Sequence, residues 1–175
     1  MRLIRALVPL VLGLCLSWAR AGSYEDWFKA VHTNDARAAR ALLERGFDPN
    51  TRDAKGQVAL YLALREDGFD VAALLLSHPA LQIDALNPAG ETPLMMAALR
   101  GNLSWTERLL ARGARLHQEG WSPILYAASG PEPKVVQLLL DRGAPVDARS
   151  LNGTTPLMMA AHYGAEASVD LLLKR

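Results

Sequence analysis

The chain lacks most of the features by which several protein classes are recognised. Only one of its 175 residues is cysteine, which excludes a disulfide framework and a cysteine-based zinc site. The formal net charge is +1, so the excess of positive charge typical of nucleic-acid-binding proteins is missing. Aromatic residues make up 6% of the chain and hydrophobic residues 50%. We therefore expect a folded protein with a mainly aliphatic core.

Motifs of known catalytic sites are also missing from the sequence. None of the four histidines, at positions 32, 78, 117 and 162, lies three or four residues from another, so no helical metal-binding pair exists. There is no nucleophile elbow, zinc-protease motif or phosphate-binding loop. An enzyme or small-molecule binder would need clustered polar groups with shifted pKa values, whereas Arg65 and Glu66 resemble ordinary surface charges. We therefore expect that the chain is not an enzyme and that it binds neither a cofactor nor a metal ion.

Residues 1–21 have the pattern of a secretory signal peptide. Two arginines near the start precede an uncharged stretch from Ala6 to Trp18, which is too short for a stable membrane span. The sequence Ala-Arg-Ala at 19–21 then matches a signal peptidase site. The alternatives are a membrane anchor, a buried first helix, or a lipoprotein signal at Cys15, although Leu14 stands where lipoprotein signals need a small residue. Cleavage after Ala21 would remove three arginines and Cys15, leaving a weakly acidic chain without thiols, which suits the periplasm or the exterior.

The rest of the chain repeats with a period of about 33 residues. Four similar segments begin at Gly56, Gly90, Gly120 and Gly153, and each is followed by a second apolar stretch that ends in a run of leucines. An earlier copy is degenerate at its start and contains Trp27 and Phe28. Each unit is predicted to be helix, turn, helix and loop.

Local chemistry explains the limits of these helices. Thr92, Ser122 and Thr155 are suitable N-caps, and each is followed by a proline at the first helical position. Glycine at 101 and 164 can end the first helix in a left-handed conformation, and Asn34 and Asp67 are predicted to take that place in the first two copies.

The pattern Gly-x-Thr-Pro-Leu-x-x-Ala-Ala, the leucine runs and the later Gly-Ala-x-x-x-Ala of residues 143–148 resemble the ankyrin repeat family. The resemblance covers nearly all of the chain after residue 21 and implies an all-α ankyrin-repeat solenoid of about five repeats. The ankyrin repeat domain would span residues 22–175, with repeats at approximately 24–53, 54–87, 88–117, 118–150 and 151–175.

The resemblance also implies where a partner would bind. In ankyrin proteins the first helices and the loops line a concave face, and variable positions there contact a protein. Mapped onto this sequence, the candidate residues are His32, Thr33, Lys55, Gln57, Arg65, Glu66, Glu91, Leu99, Arg100, Glu119, Trp121, Leu151, Thr154, His162 and Tyr163.

Trp121 is the most specific candidate because tryptophan is common among binding hot spots. It either anchors a partner or folds over the loop before it, which is about three residues shorter than in the other copies. The other large apolar residues are interpreted as packing residues: Trp27, Phe28, Trp105, Met95, Met96, Met158 and Met159.

Two departures from the family pattern carry expectations. The histidine that usually follows Thr-Pro-Leu is replaced, for instance by Tyr61 and Met95, so the loops between repeats are expected to be less rigid. The last helix ends at Leu173-Lys174-Arg175 without the usual glycine or a polar cap, and we expect it to fray. Two explanations of this missing cap are left open: the natural chain is longer than the sequence given, or something else shields this end of the stack.

These observations favour an exported bacterial protein-interaction module that binds a periplasmic or secreted protein through its concave face. The alternative is an inhibitor, immunity or protective subunit of one exported enzyme, which would use the same surface. No nucleic-acid partner is expected, nor an integral membrane segment after cleavage of residues 1–21. A monomer is expected unless the open C-terminal end pairs.

Overall fold

The computed structural model describes residues 22–118 and 120–175, and these ranges contain ten α-helices and no strand. A single β-bridge joins Arg52 and Val58. The predicted signal peptide, residues 1–21, lies outside the described residues. In chain order the helices are α1 (22–32), α2 (Ala36–Glu44), α3 (Ala59–Arg65), α4 (Phe69–Ser77), α5 (Pro93–Leu99), α6 (Leu103–Ala111), α7 (Pro123–Ser129), α8 (Pro133–Asp141), α9 (Pro156–His162) and α10 (Glu166–Leu173).

The ten helices form five pairs that stack in chain order. The first helices of successive pairs pack in a row, α3 on α5, α5 on α7 and α7 on α9. The second helices form the other layer, in which α2 packs on α4, α6 on α8 and α8 on α10. Since each unit contacts its neighbours in the sequence, the chain is a solenoid. The predicted all-α architecture is confirmed.

The first helices begin as the Thr-Pro pattern predicts, with one exception. The hydroxyl oxygens of Thr92 and Thr155 accept from the backbone N–H groups of Met95 and Met158, at 3.2 and 3.3 Å. The proline that follows each cap is the first residue of α5, α7 and α9. Ser122 is the N-cap of α7, but its buried hydroxyl makes no side-chain cap and has no hydrogen-bond partner among the described residues, so the prediction of a capping bond there is wrong.

Left-handed residues end four of the five first helices, at the positions predicted. Asn34 and Asp67 have φ of 53° and 56°, and Gly101 and Gly164 have φ of 67° and 69°. Asparagine and aspartate adopt this conformation more readily than other side-chain-bearing residues. These residues therefore make the turns after α1, α3, α5 and α9 sharp enough for the second helix to fold back, whereas α7 ends at Gly130 with φ of −83°.

The buried apolar residues form two clusters along the stack, one from Trp27 to Ala114 and one from Ala98 to Leu172, and the partly buried Leu110 packs against both. The paired alanines of α5 and α7 are buried, which lets neighbouring helices approach closely, whereas in α9 Ala160 is buried and Ala161 is exposed. Trp27 is fully buried against Phe47, with ring centroids 5.0 Å apart. Trp105 is buried in a stack with Phe69 at 5.8 Å, and the Arg108 guanidinium lies 4.0 Å from its ring centroid. These aromatic residues pack as predicted.

The face of the last helix pair is open. Met158 is 57% exposed, although Met95, at the same place in an inner copy, is fully buried by the next first helix. The interpretation of Met158 as a packing residue is therefore wrong, while it holds for Met95 and Met96. Tyr163 and Leu173, at 62% and 67%, are exposed at the same end of the stack.

Candidate functional site

The candidate residues fall into two structural classes. His32, Arg65, Leu99 and His162 are the last residues of first helices, and Thr33, Glu66, Arg100 and Tyr163 follow directly. Lys55, Gln57, Glu91, Trp121, Leu151 and Thr154 lie in the loops that lead into the next first helix. We call the described residues of these two classes the loop face. Glu119, also predicted, lies outside the described residues.

Each long loop is held by a polar residue three positions before its glycine. The Asp53 carboxylate accepts from the N–H of Lys55 at 2.9 Å and of Gln57 at 2.7 Å. The Asn87 side-chain oxygen accepts from the N–H of Glu91 at 2.9 Å. In the last loop the Ser150 hydroxyl accepts from the N–H of Thr154 at 3.0 Å. Sequence reasoning missed these residues, although their recurrence three positions before Gly56, Gly90 and Gly153 was a signal.

Glu91 is the most connected side chain of the loop face. Its carboxylate accepts from the Tyr61 hydroxyl at 2.5 Å, the Asn87 amide at 2.7 Å and the Tyr126 hydroxyl at 2.9 Å. Tyr61 belongs to α3 and Tyr126 to α7, so one loop residue joins three successive copies. The Asn87 amide also donates to Gln57 at 3.1 Å. At two of the positions that lack the family histidine, tyrosines supply hydrogen bonds to this loop. The lower rigidity expected of the loops stays a prediction.

These contacts shift the pKa values of the groups involved. Partial burial of Glu91 opposes its charged form, but the hydrogen bonds from Tyr61, Asn87 and Tyr126 outweigh this effect and lower its pKa. Burial, together with the bond to Glu91, raises the pKa of both tyrosine hydroxyls. At neutral pH the site is therefore a carboxylate held by neutral donors.

Charged groups at the helix ends form two ion-pair clusters. Glu66 lies between His32, with Nδ1 at 2.7 Å from Oε2, and Arg65, with Nη2 at 2.7 Å from Oε1. Partial burial opposes the charge on Glu66, but the bonds from Arg65 and His32 lower its pKa overall. Arg100 pairs with Asp67 at 2.5 Å. Each cluster joins one copy to the next, so these side chains are held in place across the solenoid.

The aromatic candidates are not all alike. Trp121 is half-buried and meets the ring of Tyr126 edge to face, with centroids 6.0 Å apart and an interplanar angle of 74°. His162 and Tyr163 form a second edge-to-face pair at 4.9 Å and are exposed. Leu99, by contrast, packs against the core. The structure therefore brings Trp121 into one group with Glu91, through Tyr126.

The loop face carries side chains that can recognise another molecule. Among the described residues no group of three histidine, cysteine, aspartate or glutamate side chains could hold a metal ion. None of the helices described is both long and apolar enough to cross a membrane. What the face presents is a series of oriented carboxylates, guanidinium groups and aromatic rings, which can form hydrogen bonds, ion pairs and apolar contacts with another molecule.

Comparison with known proteins identifies similar sequences over nearly all of the described chain. A family model described as ankyrin repeats (3 copies) matches residues 27–118 and 100–175. The chain is 31% identical over 163 residues to the nuclear factor NF-kappa-B p105 subunit of Gallus gallus, which covers 87% of this chain and 16% of that protein. It is 31% identical over 111 residues to the ankyrin repeat and SAM domain-containing protein 6 of Mus musculus, covering 61% of this chain and 13% of that protein. The chain thus spans much less than two thirds of the length of these relatives.

Proposed function

Because the chain belongs to the ankyrin repeat family, whose members are generally interaction modules without catalytic activity, we propose that it is an exported module that binds a periplasmic or secreted protein through its loop face. The repeats support protein binding in general. Export of the chain and the periplasmic or secreted origin of its partner are further parts of the proposal.

One observation favours the loop face as the binding surface. Its exposed polar side chains are fixed by contacts between copies, as in the His32–Glu66–Arg65 cluster and the Arg100–Asp67 pair. A side chain that is already ordered loses less entropy when a partner binds it. On the other side of the stack the second helices have one ion pair between copies, Asp141 with Arg175. Their charges Glu107 and Lys134 form no ion pair in the described chain.

Export can be tested apart from binding. Residues 1–30 are fused to an alkaline phosphatase that lacks its own leader and is active only in an oxidising compartment. We expect activity in the periplasm of a bacterial host and loss of activity when Leu12 and Leu14 are changed to arginine, because charges in the apolar run prevent targeting. Equal activity from both fusions would contradict export by this segment.

Binding is tested by capture of a partner from the host's periplasmic fraction on the immobilised chain, quantified by mass spectrometry. The comparison is between the unchanged chain, the double variant Arg65→Ala and Arg100→Ala, and the matched control Glu107→Ala on α6. A stoichiometric protein that is lost with the double variant and kept with the control supports the proposal. If that protein is an enzyme, its activity with and without the chain distinguishes an inhibitor or protective subunit from a neutral partner.

Trp121 gives a quantitative prediction for the captured partner. If the indole anchors the partner, Trp121→Ala should weaken binding by about 2 kcal/mol, roughly a 30-fold rise in Kd. Titration calorimetry measures this directly. An unchanged Kd would assign Trp121 to packing on Tyr126 alone.

A further inference from the structure

Glu91 is a half-buried carboxylate that has no cation beside it in the part of the chain that the structure describes. Glu66 is paired with Arg65 at 2.7 Å, and Asp84 with Arg115 at 3.2 Å. Within residues 22–118 and 120–175 no ion pair involves Glu91, and its three hydrogen-bond donors are neutral. A partly desolvated charge without an opposite charge attracts one from outside.

The Glu91 carboxylate also has a free acceptor position. Within residues 22–118 and 120–175, Oε2 accepts two hydrogen bonds, from Tyr61 and Asn87, and Oε1 accepts one, from Tyr126. A carboxylate offers about four acceptor positions, two on each oxygen. Oε1 can therefore accept one more hydrogen bond from an incoming donor.

Aromatic rings lie beside this oxygen. The hydroxyl of Tyr126 is 2.9 Å from Oε1, and the ring of Tyr126 contacts that of Trp121 at 6.0 Å between centroids. Both rings are half-buried, so part of each is open to solvent. A cation within about 6 Å of such a ring centroid is attracted to its face, most strongly by tryptophan.

We propose that Glu91, Tyr126 and Trp121 form a binding site for an arginine side chain of the protein partner. This inference rests on the proposed function and names the chemistry of the partner's contact. A guanidinium is planar, so it can lie on an aromatic ring while its edge donates to Oε1 of Glu91. The ammonium group of lysine is compact and strongly hydrated, and it combines the two contacts less well.

The test uses a defined probe. The ¹⁵N-labelled chain is titrated with the tripeptide acetyl-Gly-Arg-Gly-amide and, separately, with the same peptide containing citrulline, which has the shape of arginine without its charge. We expect saturable shifts of the Trp121 indole N–H and of the Glu91 amide, with arginine binding at least about 5-fold tighter than citrulline. Equal affinity for the two peptides, or no saturable shift with arginine, would overturn the proposal.

A pair of variants separates the charge of Glu91 from its place in the loop. Glu91→Gln should abolish the preference for arginine over citrulline, whereas Glu107→Gln, the same charge change on α6, should preserve it. The loop is monitored through hydrogen exchange of the Gly90 and Glu91 amides, which donate to Asn87. Retained preference in Glu91→Gln overturns the site. If hydrogen exchange shows that the loop has opened in Glu91→Gln, a lost preference no longer reports on the charge. The comparison of the two peptides on the unchanged chain then tests the arginine site.

The outcomes also separate this inference from the proposed function. A chain that captures a partner but does not prefer arginine over citrulline overturns the arginine site and leaves the interaction module standing. A chain that prefers arginine but captures no protein from the periplasmic fraction contradicts the proposed function.

Discussion

Asn34 links the first helix pair to the second through a contact that one substitution can remove. Its side-chain oxygen accepts from the backbone N–H groups of Asp70 and Val71, at 3.1 and 3.0 Å, and its amide donates to the Asp70 carboxylate at 2.9 Å. Gly68, the N-cap of α4, has no side chain to do this. The first turn of α4 is thus capped by a residue of the preceding copy.

Two substitutions separate the cap from the backbone conformation. Asn34→Gly removes the cap and should cost about 1 kcal/mol. Asn34→Ala removes the same cap and also forces an alanine to keep φ near 53°. Alanine is strained in the left-handed region, an effect partly offset because glycine loses more entropy on folding. We therefore expect the alanine variant to be less stable by a further 0.5–1 kcal/mol, roughly.

Urea unfolding followed by circular dichroism measures both variants, with Asp35→Ala as a control that removes a cap within the first pair. The expected order of stability is unchanged chain, Asn34→Gly, Asn34→Ala. Hydrogen exchange should show faster opening of the Asp70 and Val71 amides in both Asn34 variants and not in Asp35→Ala. An alanine variant as stable as the unchanged chain, or more stable than the glycine variant, would refute this reasoning.

Three further predictions concern the core, the Glu91 site and the last helix. Leu109→Ala should cost roughly 2–5 kcal/mol in chemical unfolding, since Leu109 is fully buried; a cost below about 1 kcal/mol would contradict tight packing there. The lowered pKa of Glu91 means that its contribution to stability is present above the ordinary glutamate pKa of about 4.3 and is lost as pH falls below it. The Tm of Glu91→Gln should therefore fall less than that of the unchanged chain between about pH 6 and pH 3, and parallel curves would contradict this. Hydrogen exchange should be faster in residues 166–173 than in α6 and α8, because α10 has no side-chain cap at Ala165 and its Leu173 is exposed; equal protection would contradict this.

The local parts of the fold could be predicted from the sequence. The Thr-Pro starts of α5 and α9 and the left-handed turns at Asn34 and Asp67 depend on neighbouring residues only, and the structure contains them. Met158 shows the limit, because the same residue type is buried in an inner copy and exposed in the last one. Its burial depends on whether another helix pair follows, which the local pattern does not record.

The candidate site could be predicted in part. Glu91 and Trp121 were found from their places in the repeat, but the sequence could not show that Tyr126 joins them. The hydrogen bonds that hold Glu91 come from residues 30 and 35 positions away, and their formation depends on how successive copies are stacked. In the same way, the cap from Asn34 crosses 36 residues, and no rule about neighbouring residues predicts it.

The central proposal is that the loop face contacts a protein partner in the periplasm or outside the cell. Site-specific photo-crosslinking in cells tests this most directly, with a benzophenone amino acid placed at Gln57, Arg100 or Tyr163 on the loop face and at Glu107, Lys134 or Asp170 on the second helices. We expect one protein crosslinked from the loop-face positions, with little or no product from the second helices. The same product from the second-helix positions alone, or no product from either face, would contradict the account.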